Sequence, residues 1–165
     1  MAFIRNKRRM GDILKAENIV TEEQIEEALP IAKEKGKKLG EILVELGYTT
    51  EEAIANALSR QLGIDVIPLA GIQIDEELLN LVSGNVLRKH MMVPVEYNEK
   101  NINIVRVAMA DPMDMLALDD FSIITNLQAE PLIATPHDIL VTLDRYFGDS
   151  EAMLAAQRYA KERES

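Results

Sequence analysis

The apolar positions of the first 62 residues fall into two sets with the same spacing. Ile13-Leu14 is followed by Ile25, Ala28 and Leu29. Twenty-nine positions later Ile42-Leu43 is followed by Ile54, Ala57 and Leu58. Apolar residues at i, i+3 and i+4 form one stripe of an amphipathic helix. Each set therefore predicts a short helix, a turn and a longer helix. In the first copy the short helix covers 11–17, and Asn18 takes the left-handed turn conformation that short amide side chains tolerate. Thr21 caps the longer helix, with Gln24 three residues on as its capping-box partner. In the second copy Gly47 replaces Asn18 and Thr50 repeats the cap, but Ala53 cannot complete the box. Pro30 is expected to end or kink the first long helix near Leu29.

Beyond residue 62 the pattern changes. Residues 62–69 have strand character and close at Pro68, and 75–82 predict a short helix. The β-branched runs 92–97 and 102–109 predict two strands joined by the hairpin-like 98–101. Asp111-Pro112 opens a helix running to about Thr125, with Asp111 as its cap and Asn126 at its end. Residues 130–134 predict a third strand. Pro136 starts a last helix that ends before Gly148. The expected fold is a mainly α tandem helical repeat over 1–69, followed by a small α+β domain over 70–148. Residues 149–165 are charged, helix-permissive and expected to be a linker.

The two sets belong to a longer repeat. Residues 9–32 align with 38–61 at nine identities in 24, including Gly11/Gly40, and only the five residues 33–37 separate the copies. Neighbouring copies can present a pseudo-twofold surface, which suits a twofold ligand.

Charge sharpens this reading. The net charge is −10, which argues against DNA or RNA as a partner. Residues 1–40 nonetheless carry nine Lys/Arg against seven Asp/Glu, so an anion should prefer the repeat. The basic clusters are Arg5-Lys7-Arg8-Arg9 and Lys33-Lys35-Lys37-Lys38, which would otherwise be solvated charge runs. Cysteine is absent, excluding disulfides and thiolate metal sites, and no apolar run approaches a membrane span. Catalytic signatures are missing: there is no G-x-x-x-x-G-K-[ST], G-x-S-x-G or H-E-x-x-H, and His90 and His137 are not spaced as ligands. No catalytic residue and no metal site is expected.

The doubled pattern R-[LM]-G-x-x-L-x(3)-[GN]-[IY]-x(5)-I-x(3)-L-x-x-Q resembles the MshEN domain. That domain is the cyclic-di-GMP-binding N-terminal module of bacterial type II secretion and type IV pilus assembly ATPases. Val93-Pro94-Val95, Val107–Pro112 and Arg145-Tyr146-Phe147-Gly148 resemble the N-terminal domain of the same ATPases. The resemblance implies a regulatory domain that binds cyclic-di-GMP and modulates the motor, and that is not itself an enzyme. It also implies a cytoplasmic location at the inner membrane, with partners in the parent chain's ATPase domain and the membrane platform. The alternative is a protein-docking module with nucleotide binding degraded.

Under the resemblance, the ligand-binding positions are Arg9, Met10, Gly11, Leu14, Asn18, Ile25 and Leu29 in the first copy. In the second they are Lys38, Leu39, Gly40, Glu41, Leu43, Gly47, Ile54, Leu58 and Gln61. Arg9 offers a fork for guanine O6 and N7 or for a phosphate, and Lys38 supplies charge without a fork. Gly11 and Gly40 let backbone N–H groups approach an anion. The apolar positions are walls for the bases or ordinary core, and the glycines equally suit close helix packing. Lys38, Met10, Asn18 and Ala32 depart from the family's Arg, Leu, Gly and Gln.

Overall fold

A computed structural model describes residues 9–148. Four helices come first: α1 (Met10–Ala16), α2 (Glu22–Lys35), α3 (Leu39–Glu45) and α4 (Glu51–Leu62). The copies agree in detail. The N-cap residues Arg9 and Lys38 have φ/ψ of −82/157° and −79/153°. Asn18 and Gly47 both have positive φ, at 56° and 79°. The backbone N–H of Ile19 donates to Leu14 O at 2.9 Å, and that of Tyr48 to Leu43 O at 3.0 Å. Thr21 and Thr50 accept from Gln24 N and Ala53 N, and of these two long helices only the first closes a capping box, through Gln24.

Pro30 does not end α2, contrary to expectation. The helix runs five residues further, to Lys35, and Gly36 closes it at φ 66°. Pro30 lies on the exposed face, so the Glu26 carbonyl deprived of its partner faces water. The buried stripe Ile25, Ala28 and Ala32 holds the helix across it.

The packing of the copies is reciprocal. Helix α1 packs on α4, α3 packs on α2, and the two short helices touch each other. A Cβ placed on Gly11 would meet Leu39 Cδ2 at 3.4 Å, and one placed on Gly40 would meet Met10 Sδ at 3.1 Å. Each glycine thus receives the side chain at the equivalent position of the other copy. The core beneath is Ile13, Leu14, Ile42, Leu43, Ala57 and Leu58, all essentially without exposed surface.

The second half contains α5 (Glu76–Leu79), α6 (Gly84–His90), β1 (Met92–Tyr97), β2 (Ile104–Met109), α7 (Met115–Thr125), β3 (Gln128–Ile133) and α8 (Pro136–Phe147). The sheet order is β1-β2-β3, with β1 antiparallel and β3 parallel to β2. The β2–α7–β3 segment is a crossover unit, which a parallel pair requires. Its core gathers Val93, Val107, Phe121, Ile139 and Leu143. Two details differ from expectation. Helix α6 lies where the apolar spacing gives no periodic signal; Ser83 caps it by accepting from Val86 N. Helix α7 is capped by Asp114, which accepts from Ala117 N, and not by Asp111. Asp111 instead accepts from Met113 N in a side-chain turn that precedes the helix.

The halves are in contact. Val66 bridges Ile133 in parallel, and Ile133 and Met113 pack into the helical core. The expected linker, 149–165, lies outside the described residues.

Candidate ligand site between the repeats and the sheet

A cavity of about 700 Å³ opens where α3 and α4 meet the sheet-bearing half. From the helices come Met10, Lys38, Leu39, Gly40, Glu41, Val44, Glu45, Glu51, Ile54 and Ala55. From the other half come Met91, Ala110, Asp111, Met113, Asp114, Met115, Ala134, Pro136 and Leu140. Its size falls within the range usual for small-molecule sites, and its walls are mainly apolar with a few carboxylates.

Six of the expected positions line it: Met10, Lys38, Leu39, Gly40, Glu41 and Ile54. Arg9 adjoins Met10 at the N-terminus of α1, and among the described residues no carboxylate pairs with its guanidinium. Leu14, Leu43 and Leu58 are core residues with no exposed surface, and Ile25 and Gly11 are buried beside them. Asn18 and Gly47 make the turns after the short helices. Leu29 is half exposed, whereas its counterpart Leu58 is covered, because α4 packs against β3. Gln61 lies apart from the cavity. Its Nε2 donates to Glu17 Oε2 at 2.8 Å, and Arg60 Nε reaches Glu17 Oε1 at 2.5 Å. The second-copy counterpart of Glu17 is Leu46, and that of Gln61 in the first copy is Ala32. The polar pair of one half therefore has an apolar equivalent in the other.

The walls from the sheet half are missing from the sequence-based list. They come from a turn, two strand ends and two helix starts that share no period. In the sequence Asp111 stands out only as a helix cap.

The electrostatics are uneven. Lys38 Nζ sits 2.9 Å from Asp114 Oδ2. Burial opposes the Asp114 carboxylate, but the hydrogen bonds from Lys38 and Ala117 N outweigh it and hold Asp114 below its usual range. Burial pushes the Asp111 carboxyl up, against the smaller opposing effects of Met113 N–H and Lys38. The basic cluster is largely neutralised: Lys37 pairs with Glu45 at 2.5 Å and Lys35 approaches it at 4.0 Å. Among the described residues no group of His, Cys, Asp and Glu is arranged to hold a metal ion, and no helix is long and apolar enough to cross a membrane.

Comparison with known proteins agrees with this architecture. Over 141 residues the chain is 30% identical to the type IV pilus assembly ATPase PilB of Myxococcus xanthus (strain DK1622); the match covers 86% of this chain and 24% of PilB. The chain thus spans about a quarter of that relative's length. A solved structure of MshE with cdg, cyclic-di-GMP, superposes with a TM-score of 0.67 at 30% identity, covering 86% of this chain and all of that one. The N-terminal domain of XpsE shares the fold, with a TM-score of 0.71 at 20% identity over 85% of this chain and 94% of that one. The MshEN domain model matches residues 62–153. That match rests on the sheet-bearing half, whereas the MshE superposition is too long to omit the repeat. With more than half of its length matched by the family model, the chain belongs to the MshEN domain family.

Proposed function

We propose that this chain is a regulatory, nucleotide-sensing domain that binds cyclic-di-GMP in the cavity beside α3 and modulates the ATPase of a pilus or secretion motor. The observation that carries this reading is the reciprocal packing of the two copies, which sets Arg9 and Lys38 at equivalent helix N-termini beside a ligand-sized cavity. Similarity to MshE, solved with cyclic-di-GMP, supports it.

The residues fit the ligand's chemistry. Guanine presents N–H donors that the carboxylates of Asp111, Asp114 and Glu41 can accept, and its O6 and N7 suit the Arg9 fork. The phosphates need cations, supplied by Lys38 and Arg9. Apolar walls from Leu39, Ile54, Met113 and Met115 cover the base faces. The repeat, 1–69, would carry the nucleotide and the α+β part, 70–148, would close the site. Within this reading the parent motor works in the cytoplasm against an inner-membrane platform.

A second reading, a protein-docking module, draws on α7. Leu116 and Ile123 lie one heptad apart on its outer face and are 63% and 79% exposed. The short helices argue for the first reading, because they bury their apolar residues and leave a cavity. Calorimetric titration with cyclic-di-GMP, against cyclic-di-AMP and GTP, tests it. Selective, saturable heat is expected. Silence with cyclic-di-GMP at high micromolar concentration leaves the docking reading.

A further inference from the structure

The cavity's charge does not match its apolar walls or its fixed cations. Five carboxylates line it among the described residues; Lys38 pairs with Asp114 and Lys37 with Glu45, which leaves Glu41, Glu51 and Asp111 without a lysine or arginine partner. Asp111 is desolvated there, so its carboxyl is pushed upward. Such a space fits an apolar group that brings positive charge with it.

The chain supplies one. Residues 1–8, which lie outside the described residues, read Met-Ala-Phe-Ile-Arg-Asn-Lys-Arg. Four apolar residues are followed by Arg5, Lys7 and Arg8, with no acidic residue among them. The segment joins the fold at Arg9, and the next residue, Met10, is itself a cavity wall. Phe3 lies six residues before Arg9, a reach of roughly 20–22 Å when extended. That is enough to carry Phe3 and Ile4 from Arg9 past Met10 into a cavity of about 700 Å³.

We propose that residues 1–8 dock in this cavity, seating Phe3 and Ile4 among its apolar walls and Arg5, Lys7 and Arg8 against its carboxylates. The segment is then the cavity's occupant when no other ligand is bound, and any ligand of that site must displace it. The proposal does not rest on the identity of that ligand.

The chain has no tryptophan, so Phe3→Trp places a single reporter in the segment. In the full chain its emission is expected to be blue-shifted and shielded from acrylamide, independently of protein concentration. Two kinds of change should shift it back to the solvent value and restore quenching. One is Arg5→Glu with Lys7→Glu and Arg8→Glu, which alters only the segment. The other is Met115→Lys or Leu140→Lys, which sets a like charge against the segment; both side chains line the cavity and are already 54% and 41% exposed, so the fold should tolerate the change. Unaltered circular dichroism verifies the fold. A solvent-like emission from the outset overturns the proposal. So does a blue shift that ignores the cavity substitutions, which would place the segment elsewhere, or one that grows with concentration, which would place it on a second copy. Cyclic-di-GMP added to the same variant should red-shift the emission. A calorimetrically silent titration would count against the nucleotide reading and leave the docking result standing.

Discussion

Lys38 Nζ lies 2.9 Å from Asp114 Oδ2, and the two residues are the N-caps of α3 and α7. The pair therefore joins the helix start of one half of the fold to that of the other. A cation at a helix N-terminus is opposed by the helix dipole, and Asp114 offsets this while also capping its own helix.

The two partners should differ in their effect on stability. Asp114→Ala removes a cap and an ion pair together and should cost about 1–2 kcal/mol. Lys38→Ala removes only a half-exposed pair and should cost roughly 0.2–1 kcal/mol. Asp114→Asn, which keeps the cap, should resemble Lys38→Ala. Urea denaturation of the three variants checks the order; equal losses for Asp114→Ala and Asp114→Asn would remove the cap from the explanation.

Glycine substitutions should separate by what the new methyl meets. At Gly84 a Cβ would lie 3.0 Å from Phe147 Cγ and 3.1 Å from its Cδ1, atoms of a rigid ring. Gly84→Ala should therefore destabilise by about 1–3 kcal/mol. At Gly11 the nearest atoms are 3.4 Å or more away, on flexible Leu39 and Ile25. Gly11→Ala also gains helix propensity, so thermal unfolding should show it at or above wild-type stability.

Asp111 gives a pH signature. Its carboxyl is raised in the folded chain chiefly by burial, so the ionised form is penalised on folding. That penalty is complete above the raised value and disappears below the ordinary value of 3.8. Asp111→Asn keeps an acceptor for Met113 N. It should raise the melting temperature at pH 7, and the gain should fade as pH drops toward 3.8. A constant difference across that range would point to packing instead.

Legibility followed locality. The caps at Thr21 and Thr50, the turns at Asn18 and Gly47, strand β1 and both ends of α8 are each set by a few adjacent residues, and the structure has them where the pattern predicts. Helix α6 escapes because seven residues opening with Gly and Asn carry too little period. Pro30 misleads because the buried Ile25, Ala28 and Ala32 decide the length of α2, and they act through tertiary packing. The cavity is half legible for the same reason. Met10, Leu39 and Gly40 come from the repeat, but Met91, Ala110, Met113 and Leu140 meet only when the chain has folded.

Nucleotide binding should depend on Arg9. Losing a charged, hydrogen-bonded contact costs about 1.5–3 kcal/mol, which is at least tenfold in affinity. Arg9→Ala should show that loss by calorimetry, and Lys38→Arg should tighten binding. Ala32→Gln should not help, because the second copy offers Leu46 where Glu17 holds Gln61. Gln61→Ala should lower stability more than affinity. Unchanged affinity in Arg9→Ala would remove Arg9 from the site.

The purified chain should not hydrolyse ATP. Its sequence lacks the G-x-x-x-x-G-K-[ST] pattern of a phosphate-binding loop, and positioning of phosphates and metal is most of that chemistry. Phosphate release above background that persists through repurification would contradict this.

Because α1 rests on α4 and α3 on α2, neither copy is a folding unit. Each short helix buries its apolar side on the long helix of the other copy, so a fragment ending at Gly36 would leave both of its helices uncovered. A second such fragment could cover them by the same contacts, since the relation between the copies is a closed twofold. The repeat thus has the form of a symmetric homodimer whose two halves share one chain. A single chain does not hold the halves to identity: Gln61 and Glu17 face each other on one side, while Ala32 and Leu46 occupy those places on the other.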